Sequence, residues 1–124
     1  MPLSARLLAV DDEKEILDAL TEFFTLRGYE VVTAQNAGDA FMLLAVAPPD
    51  VVLLDIGMPK IDGMTALRRI RASHPTLPVI MLTANVDLAL ARDTLKRGAF
   101  DYVAKPFDFE HLAHVVEAAV AHRA

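Results

Sequence analysis

Two kinds of segment, distinguished by the spacing of their apolar residues, alternate along this chain. Short runs rich in β-branched and other apolar residues are separated by longer stretches in which apolar residues recur every three or four positions. The short runs predict five strands, at residues 6–10, 30–34, 51–54, 79–82 and 100–103. The runs at 51–54 and 79–82 are continuously apolar, which indicates strands that are buried on both faces of a sheet.

The longer stretches predict five helices. Gly28 and Gly98 are typical stops for the first and fourth of them, and Asn36 is a typical start for the second. The third covers residues 64–73, the fourth 87–97, and the second ends before Pro48. The last helix begins near Asp108 and runs to Ala121. The first helix has an apolar stripe formed by Ile16, Leu20, Phe23 and Phe24. The last helix has one formed by Leu112, Val115, Val116, Ala119 and Val120.

Five strands that alternate with five helices predict an α/β fold, with a parallel sheet covered by helices on both faces. The 124 residues suit one domain, and no repeat, linker or low-complexity segment interrupts them. We therefore expect a single domain over residues 1–124.

Composition and charge narrow the class of protein. Hydrophobic residues make up 54% of the chain, enough for a large core, and the net charge of −5 disfavours direct binding of nucleic acid. No cysteine is present, which excludes disulfides and thiolate metal sites and fits a reducing compartment. No segment approaches the roughly 18 apolar residues of a membrane span, and the first residues lack the features of a signal peptide. We expect a cytoplasmic protein without membrane contact.

Polar residues follow four of the five predicted strands. Asp11 and Asp12 follow the first strand, Asp55 the third, Thr83 the fourth, and Lys105 comes soon after the fifth. The carboxyl ends of parallel strands meet at one edge of the sheet, where open α/β folds bind their ligands. The topology therefore predicts that these distant residues share one crevice.

Each of these residues also has a simpler interpretation. Asp11 and Asp12 could cap the first helix, and Asp55 could be a turn residue. Thr83 could be an ordinary β-branched residue at a strand end, and Lys105 a solvated lysine.

Taken together, the simpler interpretations do not explain how three carboxylates could share one crevice despite their mutual repulsion. Two carboxylates about 4 Å apart repel by about 4 kcal/mol at an effective dielectric constant near 20, so a cation is expected among the three. Mg²⁺ is the natural candidate because it prefers carboxylate oxygens, water and phosphate, whereas Zn²⁺ prefers Cys and His. Lys105 and the Thr83 hydroxyl could stabilise a phosphoryl group, with Asp55 as the nucleophile. The set predicts phosphoryl transfer rather than proton chemistry.

Four segments carry motifs that are specific in combination: LAVDDE at residues 8–13, DIGMP at 55–59 followed by Asp62 and Gly63, VIMLTA at 79–84, and GAFDYVAKPF at 98–107. Together they resemble the receiver domain of two-component response regulators, and the resemblance covers the whole chain. It implies a flavodoxin-like (βα)5 doubly wound parallel sheet with strand order 2-1-3-4-5.

The resemblance also implies a metal site and an acceptor. Asp12 would bind Mg²⁺ directly, and Asp11 would act mainly through a coordinated water. Asp55 would be both a metal ligand and the phosphate acceptor, and the backbone carbonyl of Gly57 would be a further ligand. A missing side chain at Gly57, with Asn85 nearby, would influence how long the phosphate survives.

Further residues would hold the phosphoryl group and report its presence. Lys105 would pair with it, the Thr83 hydroxyl would move toward it, and the amide of Ala84 would donate to it. Tyr102, which by itself could be an ordinary core aromatic, matches the aromatic switch of the family. The peptide bond between Lys105 and Pro106 is expected to be cis.

The implied function is a phosphorylation switch. The domain would catalyse its own phosphorylation, from the phosphohistidine of a sensor histidine kinase or phosphotransfer protein or from a small acyl phosphate, and would lose the group by hydrolysis. The surface formed by the fourth helix, fifth strand and fifth helix would then repack, and could form a homodimer. The chain would be a stand-alone regulator or a piece of a longer one with a role in transcription regulation. The segment 98–108, together with Val115 where winged-helix regulators tend to carry arginine, favours receivers that precede AAA+ activators.

Three alternatives remain open. A phosphatase of the haloacid dehalogenase type also uses an aspartate after a strand, but it carries a second aspartate two residues later, where this chain has Gly57. Nucleotide binding is a weaker alternative, because the chain has no glycine-rich nucleotide-binding motif. The third alternative is a receiver-like module that never takes phosphate, but such a module would not need the intact acidic residues. His111 and His114 are three residues apart on a predicted helix, but without a third ligand we interpret them as ordinary histidines.

Overall fold

The computed structural model describes residues 5–57, 62–84 and 88–123. Over these ranges five strands alternate with five helices, as the pattern predicts. The strands are β1 (Arg6–Val10), β2 (Glu30–Ala34), β3 (Val51–Asp55), β4 (Val79–Ala84) and β5 (Asp101–Lys105). The helices are α1 (Lys14–Leu26), α2 (Ala37–Val46), α3 (Gly63–Ser73), α4 (Leu88–Lys96) and α5 (Phe109–Arg123).

The strands form one parallel sheet in the order β2-β1-β3-β4-β5. The predicted flavodoxin-like fold and its strand order are confirmed. The order places β1 and β3 side by side in the middle of the sheet, with Val10 opposite Leu54. Asp11 and Asp55, which are the next residues of the two segments, are thereby brought to the same edge.

Alternate residues of the central strands face two separate hydrophobic clusters. One parity, which includes Leu8, Val52 and Met81, packs against α2 and α3 and against Leu90 of α4. The other parity, which includes Leu7 and Leu53, packs against α1 and α5. A sheet buried on both faces explains why β3 and β4 are apolar without alternation.

Local signals set the ends of several helices. The Asn36 side chain accepts a hydrogen bond from the Asp39 amide at 2.8 Å, so Asn36 caps α2 as predicted. Gly28 and Gly98 both have positive φ angles, which glycine adopts without strain just after a helix. The N-cap position of α1 is Glu13, and its side chain makes no capping hydrogen bond. Neither Asp11 nor Asp12 therefore occupies the N-cap position, although the Asp11 carboxylate accepts the amide of Glu13 at 2.9 Å.

Three strands have bounds that differ from the prediction. β3, β4 and β5 continue through polar residues, because ladder pairing between neighbours extends past the apolar runs. Asp55, Thr83 and Lys105 thus lie within strands rather than after them, and β5 begins one residue later than predicted. The predicted helix start at Asp87 lies outside the described residues. None of the helices in the described ranges is long and apolar enough to cross a membrane.

Candidate functional site

Three carboxylates meet at the carboxyl edge of the sheet. Asp11 follows β1 directly, and its backbone amide donates to the carbonyl of Ala34 at 3.1 Å, which continues the ladder by one residue. Asp55 is the last residue of β3. Oxygen atoms of Asp11, Asp12 and Asp55 all lie within 4.8 Å of one another. The structure therefore brings together the acidic residues that the sequence predicts to share a crevice.

The two neighbouring aspartates have different environments. Asp11 is fully buried, and its two oxygens have separate partners. Oδ1 accepts the amide of Glu13 at 2.9 Å, and Oδ2 accepts the ammonium of Lys105 at 2.8 Å. Asp12 is exposed. Asp11 is thus held in place by the protein, while Asp12 is available to a group that arrives from solvent.

Lys105 lies among the carboxylates. Its Nζ is 2.8 Å from Asp11, 3.6 Å from Asp55 and 3.8 Å from Glu13, which is not among the predicted site residues. Burial by itself would lower the pKa of Lys105, but the hydrogen bond to Asp11 and the nearby negative charges raise it overall. The ammonium is therefore held in its charged form. Repulsion among the carboxylates is already reduced by Lys105 and does not by itself require a metal ion.

Asp55 is a buried carboxylate with unfilled capacity for ligands. It is 6% exposed, and its Oδ1 accepts the backbone amide of Gly57 at 3.1 Å. Burial raises the pKa of Asp55; the Gly57 amide and Lys105 oppose this shift, and Asp11 and Asp12 add to it. A Cβ atom at Gly57 would lie 3.9 Å from Oδ1, in ordinary van der Waals contact, so a side chain at this position would lie against the carboxylate.

Gly63 lets α3 pack closely against the end of β3. In the sequence, its place in the motif after Asp55 is the one sign of this role. Its amide donates to the carbonyl of Ile56 at 2.9 Å. A Cβ atom at this position would lie 2.5 Å from the Ile56 Cα and 2.6 Å from the Asp55 carbonyl oxygen. Only glycine permits so close an approach of α3 to the segment that carries Asp55. No periodicity reveals this, because the contact joins two backbones.

Thr83 and Tyr102 lie on the same face of the sheet. Tyr102 pairs with Met81 in the ladder between β4 and β5, and Thr83 is two residues after Met81. The Thr83 side chain is buried, and its hydroxyl donates to the carbonyl of Ala84 at 3.1 Å. Tyr102 is half-buried against the cluster formed by α2 and α3. The two side chains thus occupy neighbouring strands next to α4.

The site opens to solvent beside Lys105. A groove of about 540 Å³ runs between the start of α1 and the segment after β5, lined by Glu13, Glu15, Ile16, Ala19, Ala84, Lys105, Pro106, Phe107 and Phe109. The peptide bond from Lys105 to Pro106 is cis, as expected. The groove therefore reaches the site at Lys105 and Ala84.

The donor set fits a hard divalent cation. Three carboxylates at one edge, one of them exposed, match the one or two carboxylates plus water that Mg²⁺ takes in proteins. No nitrogen or sulfur ligand belongs to the set, which disfavours Zn²⁺. His111 and His114 are exposed on α5, and within the described part of the chain no third ligand completes a group around them. Met58, Pro59 and Asn85, which belong to or flank the predicted motifs, lie outside the described residues.

Comparison with known proteins gives a consistent family. The profile of the response regulator receiver domain matches residues 7–117. The chain is 44% identical over 115 residues to the regulatory protein AtoC of Escherichia coli, covering 93% of this chain and 25% of AtoC. It is 41% identical over 113 residues to the DNA-binding transcriptional regulator NtrC of Salmonella typhimurium, covering 91% of this chain and 24% of NtrC. The chain therefore spans about a quarter of the length of these relatives.

A solved structure agrees with the sequence matches. The receiver domain protein of Clostridium thermocellum superposes with a TM-score of 0.91 at 34% identity, covering 96% of both chains. That chain has nearly the same extent as this one.

Proposed function

The chain belongs to the response regulator receiver domain family, and on that premise we propose that Asp55 accepts a phosphoryl group from a donor. Receivers of two-component regulators are not typical enzymes, and the proposed chemistry is confined to the domain itself. The observation that carries the proposal is a buried carboxylate at 3.6 Å from a charged lysine, within 4.8 Å of two further carboxylates. Such a site can gather the oxygens of a phosphoryl group around one nucleophile.

In the proposed reaction, an Asp55 oxygen attacks the phosphorus of a phosphohistidine. The new P–O bond forms as the P–N bond breaks, and the leaving nitrogen keeps the bonding pair. Lys105 exchanges part of its interaction with Asp11 for a phosphoryl oxygen, and the Ala84 amide donates to another. Water later attacks the phosphorus, which releases inorganic phosphate and restores the Asp55 carboxylate. The missing side chain at Gly57 supports access for that water, because a Cβ atom there would contact the Asp55 carboxylate.

Asp11, Asp12, Asp55 and the Gly57 carbonyl would hold Mg²⁺ in this proposal. When bound, the ion would neutralise charge on the phosphoryl oxygens. The buried, doubly hydrogen-bonded Asp11 suits a role through a coordinated water, because both of its oxygens already have partners. The exposed Asp12 suits direct coordination.

The proposed switch begins at Thr83. Its hydroxyl now donates to the Ala84 carbonyl and would instead donate to a phosphoryl oxygen. Movement of Thr83 frees space on the face that Tyr102 shares, and Tyr102 would turn inward. The surface of α4, β5 and α5 would change as a shift between two populations. A Tyr102→Leu variant that is phosphorylated normally but shows no spectral change at α4 would support this order of events.

A direct test uses a small donor. Incubation with Mg²⁺ and acetyl phosphate should add the mass of one phosphoryl group to the intact chain, and Asp55→Asn should take none. Asp39→Asn is the matched control, because Asp39 is exposed at the start of α2 and should not affect phosphorylation. Omission of Mg²⁺ should reduce the yield strongly. An unchanged mass with acetyl phosphate, carbamoyl phosphate and phosphoramidate would contradict the proposal.

The partners of the switch are also proposed. A sensor histidine kinase or a phosphotransfer protein would supply the phosphoryl group. NtrC is a DNA-binding transcriptional regulator, and this supports a role of the present domain in transcription regulation without DNA contact of its own. Residues 1–124 would form one receiver unit, which the similar extent of the Clostridium thermocellum domain supports. Homodimerisation through α4, β5 and α5 is tested by sedimentation, where a monomer with and without beryllofluoride would refute it.

The phosphatase alternative gains no support from the fold or from the relatives. Gly57 stands where that class has its second aspartate, so no general acid is available at this position. Turnover of a chromogenic phosphate ester by the chain, lost in Asp55→Asn, would revive that alternative.

A further inference from the structure

A second cavity lies at the edge of the sheet opposite Asp55. Pro78 and Phe100 lie immediately before β4 and β5, so the cavity is at the amino ends of these strands. Its volume is about 540 Å³, and its lining includes the end of α3 through Arg71 and the end of α5 through His122. None of the residues proposed for phosphoryl transfer contributes to it.

Arg71 is the cationic wall of this cavity. Its aliphatic stem packs on Gly98, where a Cβ atom would lie 2.7 Å from the Arg71 Cδ. Its Nη1 donates to the carbonyl of Pro75 at 2.9 Å. Its Nε and Nη2 are shielded from solvent and have no hydrogen-bond partner among the described residues. The stem is therefore held by packing on Gly98 and Nη1 by one hydrogen bond, while the remaining edge of the guanidinium is unsatisfied.

An unsatisfied guanidinium edge is an unusual feature because shielded polar groups are normally hydrogen-bonded. In the described part of the chain, no carboxylate forms an ion pair with Arg71. Burial lowers the pKa of Arg71, with no neighbouring charge opposing the shift. The Nε–Nη2 edge has the geometry that receives the two oxygens of a carboxylate.

The other walls restrict the class of ligand. Pro75, Pro78 and Phe100 are apolar, and the ring of His122 lies 5.6 Å from that of Phe100. Thr76 and His122 also line the cavity, but Arg71 is the one arginine or lysine among its lining residues. A single cationic side chain beside these apolar groups suits a single negative charge better than the dianion of a phosphate.

We propose that this cavity binds a small monocarboxylate with an apolar body. Its two oxygens would pair with Nε and Nη2 of Arg71, and its body would contact Phe100, His122 and the two prolines. Binding turns the end of the guanidinium toward the cavity, which the outer torsions of arginine allow while the stem stays on Gly98. The turn exchanges the Nη1 hydrogen bond to Pro75 for the two hydrogen bonds to the carboxylate. The site is independent of the proposed phosphorylation at the other edge of the sheet.

Titration of the whole chain with benzoate tests the proposal, followed by amide chemical shifts and thermal unfolding, with sodium chloride matched for ionic strength. The shifts should concentrate at residues 98–100 and at His122, and the melting temperature should rise with benzoate concentration. Inorganic phosphate should produce a smaller effect, and acetate should bind more weakly than benzoate because it lacks the apolar body.

Arg71→Met keeps an apolar stem over Gly98 and removes the guanidinium with its Nε–Nη2 edge. It should weaken benzoate binding at least tenfold, whereas Arg97→Met, which removes an exposed arginine paired with Asp93, should leave it unchanged. Arg71→Lys keeps the positive charge without the paired guanidinium nitrogens and should also bind benzoate more weakly. This variant replaces Arg71→Met in the test if Arg71→Met does not fold. Equal binding by wild type and both Arg71 variants, shifts away from the cavity, stronger binding of phosphate, or no binding to wild type would each overturn the proposal.

Discussion

Replacement of Lys105 by methionine should destabilise the metal-free protein strongly. Methionine keeps the length and apolar body of the side chain but removes the only ammonium that lies between Asp11 and Asp55 among the described residues. Asp11 is fully buried, so its Oδ2 would lose a charged partner without gaining water. The change therefore tests whether Lys105 makes the acidic site compatible with folding.

The distances from the Lys105 ammonium to Asp11 and Asp55 give the size of the expected loss in stability. At an effective dielectric constant near 20, unit charges at 2.8 Å and 3.6 Å attract by about 6 and about 5 kcal/mol. The net effect is smaller, because desolvation of Lys105 offsets part of the attraction and 18% of its side chain remains exposed. Removal of one partner from a buried pair costs about 3–5 kcal/mol, and the partial exposure favours the lower end. We expect a loss of about 3 kcal/mol at neutral pH.

Urea unfolding in EDTA provides the measurement, with Lys14→Met as the matched control. Lys14 pairs with Asp18 at 3.5 Å, but both side chains are largely exposed, so that variant should lose less than about 1 kcal/mol. The addition of Asp11→Asn to Lys105→Met should restore part of the lost stability, because the buried negative charge is then gone. If Lys105→Met and Lys14→Met lose the same small amount, Lys105 does not stabilise the acidic cluster.

The pH dependence gives an independent check. The folded pKa of Asp55 is raised, chiefly by burial, so its ionised form reduces stability at neutral pH. This penalty declines as the pH falls below the folded pKa and is gone below the unfolded pKa. Lys105 opposes that shift, and the methionine variant should therefore have a still higher Asp55 pKa. The stability deficit of Lys105→Met should shrink on acidification through the range in which Asp55 titrates. A deficit that grows on acidification would contradict the electrostatic cause.

Three further variants test the parts of the fold that position the site. Gly63→Ala places a methyl group 2.5–2.9 Å from three backbone atoms and should cost about 2–3 kcal/mol in urea unfolding, while Gly38→Ala, whose methyl group would meet only one side-chain atom at 3.4 Å, should stay within about 1 kcal/mol. Phe24→Ala empties a fully buried site and should cost about 3–5 kcal/mol, whereas Leu26→Ala on the same helix, 82% exposed, should cost less than about 0.5 kcal/mol; equal losses would contradict the assigned face of α1. Asp62→Ala removes the cap of α3 and should cost about 1 kcal/mol at neutral pH. Because the cap hydrogen bonds lower the folded pKa of Asp62, this contribution should vanish as the pH falls through that pKa, and a constant difference down to acid pH would refute the capping role.

The sequence determined the local conformation of most elements. β1 and β2 have the predicted bounds, and Gly28, Asn36 and Gly98 mark helix ends as expected. These features depend on residues within a few positions of each other, because side-chain periodicity and capping are local properties of the backbone. The residues that meet at the carboxyl edge could also be named, since parallel strands end at one edge. The strand order itself came from the resemblance to a family rather than from periodicity.

Only the tertiary structure decided how each polar residue is used. Asp11 and Asp12 are neighbours with the same side chain, yet one is buried and paired with Lys105 while the other is exposed. The close contact of Gly63 with the end of β3 joins two backbones, and the unsatisfied edge of Arg71 depends on what α3 meets at Gly98. Such features are set by distances between segments far apart in the chain, and hydrophobic periodicity carries no information about those distances.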